Sequence, residues 1–537
     1  MKKIKVNNPC DVRDGGGLSL REALEYLEGT LDEGQLTAQQ MEQIEEDDEM
    51  KENIVLFCQD ITLKERLIIR GGTEKYPLKI DGNGFWLQTQ NKSADGICIK
   101  RGDITIENTN FRGFNKAVFL AAETDMDRIA INRCTFQDNI IHDIIAGGIV
   151  SNCRVENIVI QDCDFYPGAA MPVILSACLD MEGGSKLENL YMGNVRFRKN
   201  RTCGRHGRDN DQSIWVFSTV DMSNMSSGRG DPAYESKGVF RNNVLKDIWV
   251  EDCIFDHVGD CSLQFCTACP GVDCVMENVV VRHNIIRQCL GAIGAGTSSV
   301  MWGGECHGNV LRNMVIEDNY ICQAEFDKRE TNQAIGINGG RLEWNIAAIY
   351  DNKVENVVIR KNEIRGMDRG ICIEATHAML DTPQPASITN CSIRDVVIEK
   401  NTFVNCLYPI QLMAASTEGR YDPLCGVVPV DSADIEFSIL AAGNSIDKVL
   451  IQENEVSGLE RFILATAAYV AGHTYARNNT IGANVAVKNN RLGRGNKTYF
   501  HKYHVADEIL LDDAIGEQNK TLCHIKFYFT GEEWKRD

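Results

Sequence analysis

The sequence predicts an all-β solenoid of stacked parallel strands, and three observations predict it. A short unit recurs along the chain, each unit holds several brief strands, and one turn position in it is repeatedly Asn. The unit is clearest at Val357–Ala375, VVIRKNEIRGMDRGICIEA. Val357–Ile359 alternates apolar and polar like a short strand, Asn362 follows, and Glu363–Arg365 makes a second strand. Gly366–Arg369 then turns the chain, and Ile371 and Ile373 point inward from a third strand. The frame of an apolar residue, two polar residues, a turn residue, one more residue and an apolar one returns at Ile316–Ile321, Ile398–Phe403, Ile451–Val456 and Val487–Leu492. Its turn residues there are Asn319, Asn401, Asn454 and Asn490. Earlier the same slot falls on Thr109, Cys134, Cys163, Val195, Cys253 and Asn284. A period that drifts between roughly 25 and 60 residues while its frame persists means stacked repeats.

Equivalent strands of successive units run the same way, so they pair as parallel sheets rather than as a meander. Asn suits the tight turn because it tolerates left-handed dihedrals and because its amide can bond the equivalent turns above and below. In these residues the chain resembles the right-handed parallel β-helix proteins of the pectate lyase-like superfamily, whose interior Asn ladder occupies this turn. The resemblance runs from about Ile54 to Leu492. It implies a right-handed single-stranded parallel β-helix of about 10–12 coils and, by analogy, carbohydrate work.

In chain order, Lys3–Val6 reads as a first strand, and Leu20, Leu24 and Leu27 share one face of a helix with Ser19 as its N-cap. Residues 1–53 therefore form an N-terminal strand and capping helix, with an acidic solvated insertion over 32–52. The coils occupy 54–495, beginning with Ile54–Phe57 and Leu67–Ile69. Their third strands align on the inward residues Ile97, Val118, Ile214, Leu263, Ile293, Ile335, Ile371 and Ile410. The segments that follow, about 219–245, 297–311, 339–354, 375–392 and 414–446, read as long loops walling one face of the rod. Residues 496–537 form a C-terminal cap or tail, with a strand at His524–Phe529.

Composition narrows the partners. Lys+Arg 56 against Asp+Glu 76 gives a net charge of -20, which disfavours nucleic acid and anionic membranes. No apolar run is long enough to span a bilayer, and MKKIKVNNPCDVRD lacks the apolar core of a signal peptide, so the expected location is the cytoplasm. The 21 cysteines are odd in number and spread through strands and turns, which reads as free thiols filling the interior. A homo-oligomer is compatible with all of this.

Candidate chemistry lies on the outward face of the third strand. Three residues before the aligned inward position runs the column Asp211, Asp260, Leu290, Asn332, Asp368. Asp211 and Asp260, if on adjacent coils, would hold carboxylates roughly 5 Å apart, close enough to titrate apart as a glycosidase's acid and its nucleophile or base. In polygalacturonase-type hydrolases, which this fold resembles, catalytic Asp residues also start this strand, one within Gly-Asp-Asp. Gly259-Asp260-Cys261 keeps only Gly-Asp. One residue past the inward position lie Trp215, Gln264, Gly294, Gly336, Cys372 and Gln411, where two glycines leave a hollow beside a tryptophan. Trp302 and Trp344, in the neighbouring segments, could stack on a sugar ring with it. Glu305 and Glu374 are further catalytic candidates, with His377 and Arg369 beside them as substrate-binding residues. Arg198, Lys199, Arg201, Arg205 and Arg208 make a basic turn that could hold a uronate, sulfate or phosphate.

Cys266 and Cys269, with Cys274 and Cys306-His307 near, have zinc-like spacing but no second paired motif, so neither a metal nor another cofactor is expected. The leading functional reading is a glycosidase acting on an oligosaccharide or sugar anhydride through Asp211 and Asp260. A lyase or epimerase on acidic sugars, favoured by Arg369 and the basic turn, is the alternative, and a fructotransferase is a third enzyme reading. A non-catalytic structural or binding solenoid is the remaining class, and the step from this fold to carbohydrate is analogy.

Overall fold

The structure is a computed structural model of the chain. It describes residues 1–13, 16–70, 76–204, 214–225, 235–258, 261–300, 304–323, 332–342, 347–379, 386–418, 439–458, 462–466, 474–492 and 522–527. The chain winds as a parallel β-helix. A first sheet stacks sixteen strands, from the antiparallel edge strand Ile44–Glu46 and Lys2–Val6 to Leu522–Phe527. A second sheet holds thirteen, and a third runs through twelve stacked strands from Leu67–Ile69 to Ile463–Thr466. The third-strand register is the one expected: Ile214, Leu263, Ile293, Ile335, Ile371 and Ile410 pair in sequence. Ile144 and Val173 join this column between Val118 and Ile214, two rungs that the sequence alignment passed over.

The coils differ from the three-strand expectation. Among the described residues, coils from Lys186–Glu188 to Thr474–Arg477 carry a fourth strand, and these eight strands form a fourth parallel sheet. The segments read as walling loops contain it: Val239–Arg241, Gly304–His307, Ala347–Tyr350, Ala386–Thr389 and Ile439–Ala442. These strands are three or four residues long and point Cys306, Ile349 and Ile388 into a separate apolar cluster, too few side chains to mark a period.

The turn between the first and second sheets is filled by an interior ladder. The amide of each Asn donates to the side-chain oxygen of the next: Asn284 to Asn319 and Asn319 to Asn362 at 2.9 Å, then Asn362 to Asn401 and Asn401 to Asn454 at 3.0 Å, and Asn454 to Asn490 at 2.9 Å. Backbone N–H groups donate to the same oxygens, so no amide is left unpaired inside. Two expectations need correction. The left-handed residue is the one before each Asn, such as Lys361 (φ 56 in Lys400, 55 in Lys361), so the Asn contributes its side chain and not an unusual backbone. The Val195 slot is wrong: Val195 lies inside the strand Tyr191–Arg198, paired with Ile158 and Ile248, and Asn200 holds the ladder position, its Oδ1 accepting from the Cys163 N–H at 2.9 Å. Cys134, Cys163 and Cys253 are buried free thiols in the same ladder. A second ladder follows the fourth sheet, with Asn243, Cys274, Asn309, Asn352, Cys391, Asn444 and Asn479 in equivalent places.

At the N-terminus, Ser19 caps the helix Leu20–Leu27 in a reciprocal capping box with Glu22. Residues 32–52, expected as a solvated insertion, are mostly exposed and also carry regular structure, a short helix Ala38–Met41 and the strand Ile44–Glu46, which covers the free edge of Lys2–Val6. Outside the first sheet, two columns of alternating charge run along the rod: Glu251, Arg282, Glu317, Arg360, Glu399 and Lys246, Glu277, Arg312, Glu355, Arg394. A slip of one coil would set like charges side by side, so the columns help to hold the register.

Candidate functional site

The outer face of the third sheet changes character along the rod. Over the earlier coils it is an apolar layer that includes Ile145, Ile174, Trp215, Phe217, Cys266 and Cys269. Trp215 is 6% exposed, its ring edge-on to Phe217 at 5.8 Å, so packing occupies the surface expected to stack on a sugar. Its indole Nε1 is buried without a hydrogen-bond partner. Gln264 follows it in register, and the hollow at the glycines is partly filled, because a Cβ on Gly336 would meet Gln333 Nε2 at 2.0 Å and one on Gly294 would meet Cys261 Sγ at 3.2 Å. Asp211, Asp260, Trp302 and Trp344 lie outside the described residues, as do Arg205 and Arg208 of the basic turn. Glu305 is described: it sits on the fourth sheet, 61% exposed, with its Oε1 3.9 Å from His307 Nε2.

Over the later coils the same face turns polar. The third strands Gln333–Asn338, Arg369–Glu374 and Tyr408–Met413 lie side by side, and Asn338, Glu374 and Met413 are in register at their ends. The chain then continues into a small parallel sheet formed by Arg341–Leu342, His377–Met379 and Ser416–Glu418, in which Arg341, His377 and Ser416 are in register. Three rungs about 4.8 Å apart thus bring a guanidinium-bearing residue, an imidazole and a hydroxyl into one column beside Glu374. His377 Nδ1 lies 3.1 Å from Ser416 Oγ and 3.4 Å from Glu374 Oε2, and Ser416 Oγ is 3.2 Å from Glu374 Oε1. Glu374, His377 and Ser416 are all buried. Asn338 Oδ1 is buried with no hydrogen-bond partner.

The other end of these strands holds Asn332, Asp368 and Arg369. The Asn332 N–H donates to Asp368 Oδ2 at 3.3 Å, and the Arg369 N–H to Asn332 O at 2.9 Å. Asn332 is fully buried, and neither its Oδ1 nor its Nδ2 has a partner. Between the two ends, Cys372 donates to Gln411 Oε1 at 3.1 Å. Of the residues named from sequence, Glu374, His377 and Arg369 fall on these strands, and Asn332 and Asp368 immediately before them. Arg341, Asn338 and Ser416 are not among those named, because the alignment of Arg341 and Ser416 depends on the small sheet within segments read as loops.

One further ionisable pair belongs to the packing of the rod. His142 and Asp143 begin a third-sheet strand, both buried. Burial pushes the Asp143 carboxyl up to about 8, although Asn139 Nδ2 donates to it at 2.7 Å, and burial holds the His142 imidazole down at about 4. Cys266 and Cys269 lie in the apolar layer, and among the described residues no group of three or more His, Cys, Asp or Glu side chains could hold a metal ion.

No family model matches the chain, and no curated protein matches its sequence. Solved structures overlap it slightly. An alginate lyase from Paenibacillus sp. is 9% identical over 59% of this chain and 89% of its own, with a TM-score of 0.24. A mannuronic acid specific polysaccharide family 6 lyase from human gut microbiota is 11% identical over 89% and 81%, with a TM-score of 0.22. The A-module of a mannuronan C-5 epimerase from Azotobacter vinelandii is 9% identical over 82% and 91%, with a TM-score of 0.18. The fold class therefore rests on the stacking itself and any activity on the site.

Proposed function

We propose that the protein is a carbohydrate-active enzyme that removes the proton beside the ring carboxylate of an acidic polysaccharide, as a lyase or an epimerase. The observation that carries this reading is the column Arg341, His377, Ser416 beside Glu374 and Asn338. Ionisable side chains withdrawn from water on the outside of a solenoid are costly as packing and are characteristic of sites.

Each residue has a part in that chemistry. A proton next to a carboxylate is acidic enough to remove only when the carboxylate's charge is met, and a guanidinium can do this with two parallel bonds, the role given to Arg341. Glu374 and Ser416 face Nδ1 of His377, which keeps that nitrogen protonated and makes Nε2 the basic one. Nε2 takes the proton, and Asn338 Oδ1 accepts from a ring hydroxyl. In the lyase outcome the C–H electron pair becomes the new C=C bond, the glycosidic C–O bond breaks, and its oxygen takes a proton from the imidazolium or from water. In the epimerase outcome the carbanion takes a proton from water on the opposite face of the ring, the imidazolium gives its proton to solvent, and the glycosidic bond stays intact.

The experiment is incubation with uronate and neutral polysaccharides, following ultraviolet absorbance of the unsaturated product, reducing ends, and solvent deuterium in recovered sugars. Absorbance, or deuterium without cleavage, on uronates alone supports the proposal. Reducing ends on neutral sugars without absorbance would favour a glycosidase working through Asp211 and Asp260.

A further inference from the structure

We infer that Asn332, Asp368 and Arg369 form a second sugar-binding position, remote from the reacting bond, which makes the enzyme select long acidic chains over short ones. The inference rests on the reading above for the chemical centre. From Arg369 to Glu374 the strand advances five residues, about 16 Å at about 3.3 Å per residue, which is several pyranose rings. A group at the Arg369 end therefore meets a different sugar of the same chain from the one beside His377.

The chemistry of that end fits a uronate residue. Its column continues into Leu290 and Leu407, both part-exposed, while Asn332, Asp368 and Arg369 are themselves buried beside them. Asn332 has an acceptor and a two-proton donor, all buried without an internal partner. A buried amide left so is costly unless something else bonds it, and a sugar hydroxyl both donates and accepts. Arg369, on the adjoining coil and bonded through its N–H to the Asn332 carbonyl, supplies the positive charge for a carboxylate. Asp368, accepting from the Asn332 N–H, holds the two coils in register.

The test compares Asn332→Ala and Arg369→Gln with the parent protein on a uronate disaccharide, a long uronate oligomer and the polymer. The expected result is a KM raised about tenfold to a hundredfold on the long substrates, with kcat nearly kept and the disaccharide unaffected. Equal effects on short and long substrates, or none on the long ones, would overturn the inference. Calorimetric binding of the long oligomer to His377→Ala, with and without Asn332→Ala, gives a second readout independent of turnover. Weaker binding in the double variant supports the position, and unchanged binding removes it. If the parent protein neither binds nor alters any uronate, the proposed function fails first and takes the inference with it. If the parent turns over polymer and these variants match it, only the remote position is lost. Melting curves that coincide with the parent's exclude misfolding as the cause.

Discussion

Replacing Asn362 by Ala tests what holds the coils together. Asn362 Nδ2 donates to Ile316 O at 2.9 Å and Asn401 Oδ1 at 3.0 Å, and its Oδ1 accepts from Asn319 N at 3.1 Å and Asn319 Nδ2 at 2.9 Å. Some of these partners keep other bonds in the variant: Asn319 Nδ2 still reaches Val281 O, and Asn401 Oδ1 still accepts from the Asn362 N–H. The Asn319 N–H and one proton of its amide are stranded in a buried turn, each at about 1–3 kcal/mol, so the loss is about 2–6 kcal/mol. That is a large part of the stability of an ordinary domain. Asn362→Leu restores bulk without donors or acceptors and should not recover the loss. The control is Asn313→Gly on the preceding coil, where an exposed Asn ladder runs from Asn356 through Asn313 to Asn278 at 2.8 and 3.1 Å. Asn313 has φ 58, which glycine accepts freely, so its change should stay within about 0.5 kcal/mol. The assay is denaturant unfolding together with hydrogen exchange at the Asn319 amide, which should accelerate strongly only in the Asn362 variants. If Asn362→Ala costs no more than Asn313→Gly, or if Leu rescues it, the ladder is not what stabilises the stack.

Three other outcomes follow from the same geometry. Thiol titration of the native protein should be low and should approach 21 on denaturation without reductant. Cys253, Cys391 and Cys406 are pushed up to about 12 by burial and should be unreactive, and a disulfide among Cys134, Cys163 and Cys253 would contradict both this and the reading of the ladder. For His142 and Asp143 the pH effects have opposite signs. The unfolded His binds a proton that the folded one refuses between pH about 4 and 6.5, which raises stability with pH, while the folded Asp keeps a proton that the unfolded one has lost between about 3.8 and 8, which lowers it. The two cancel up to about pH 6.5, and from there to about 8 stability should fall by about 2 kcal/mol, a fall that Asp143→Asn should abolish and that guanidinium titrations at a series of pH values would read. Arg360→Glu, between Glu317 and Glu399, should cost about 1 kcal/mol at low salt and less at high salt, whereas a salt-independent loss would mean that packing and not charge is responsible.

The repeat and its third-strand register were legible because Ile, Val and Leu mark the inward positions and because Asn recurs in one frame. Asn200 escaped because its frame, Phe197 to Thr202, closes on Thr and not on an apolar residue, although Thr202 is fully buried. The fourth sheet obeys the same frame, as in Ile349 to Val354 around Asn352 and Cys306 to Leu311 around Asn309, but its inward residues are often Cys or Ala, and small side chains hide the period. At the site, Glu374, His377 and Arg369 stood out by residue type alone. Arg341 and Ser416 became candidates only when backbone pairing set them on either side of His377, information carried by contacts between coils and not by spacing along the chain.

The most direct test of the functional account is a uronate polymer in buffered D2O with the parent protein, His377→Ala, Arg341→Gln and the Asp211→Asn, Asp260→Asn double variant. The account predicts an unsaturated product or deuterium at the carbon bearing the carboxylate with the parent, and a loss of several orders of magnitude in turnover with His377→Ala and Arg341→Gln at unchanged melting temperature. Full activity in His377→Ala, with loss only in the paired aspartate variant and reducing ends formed without any unsaturated sugar, would contradict it.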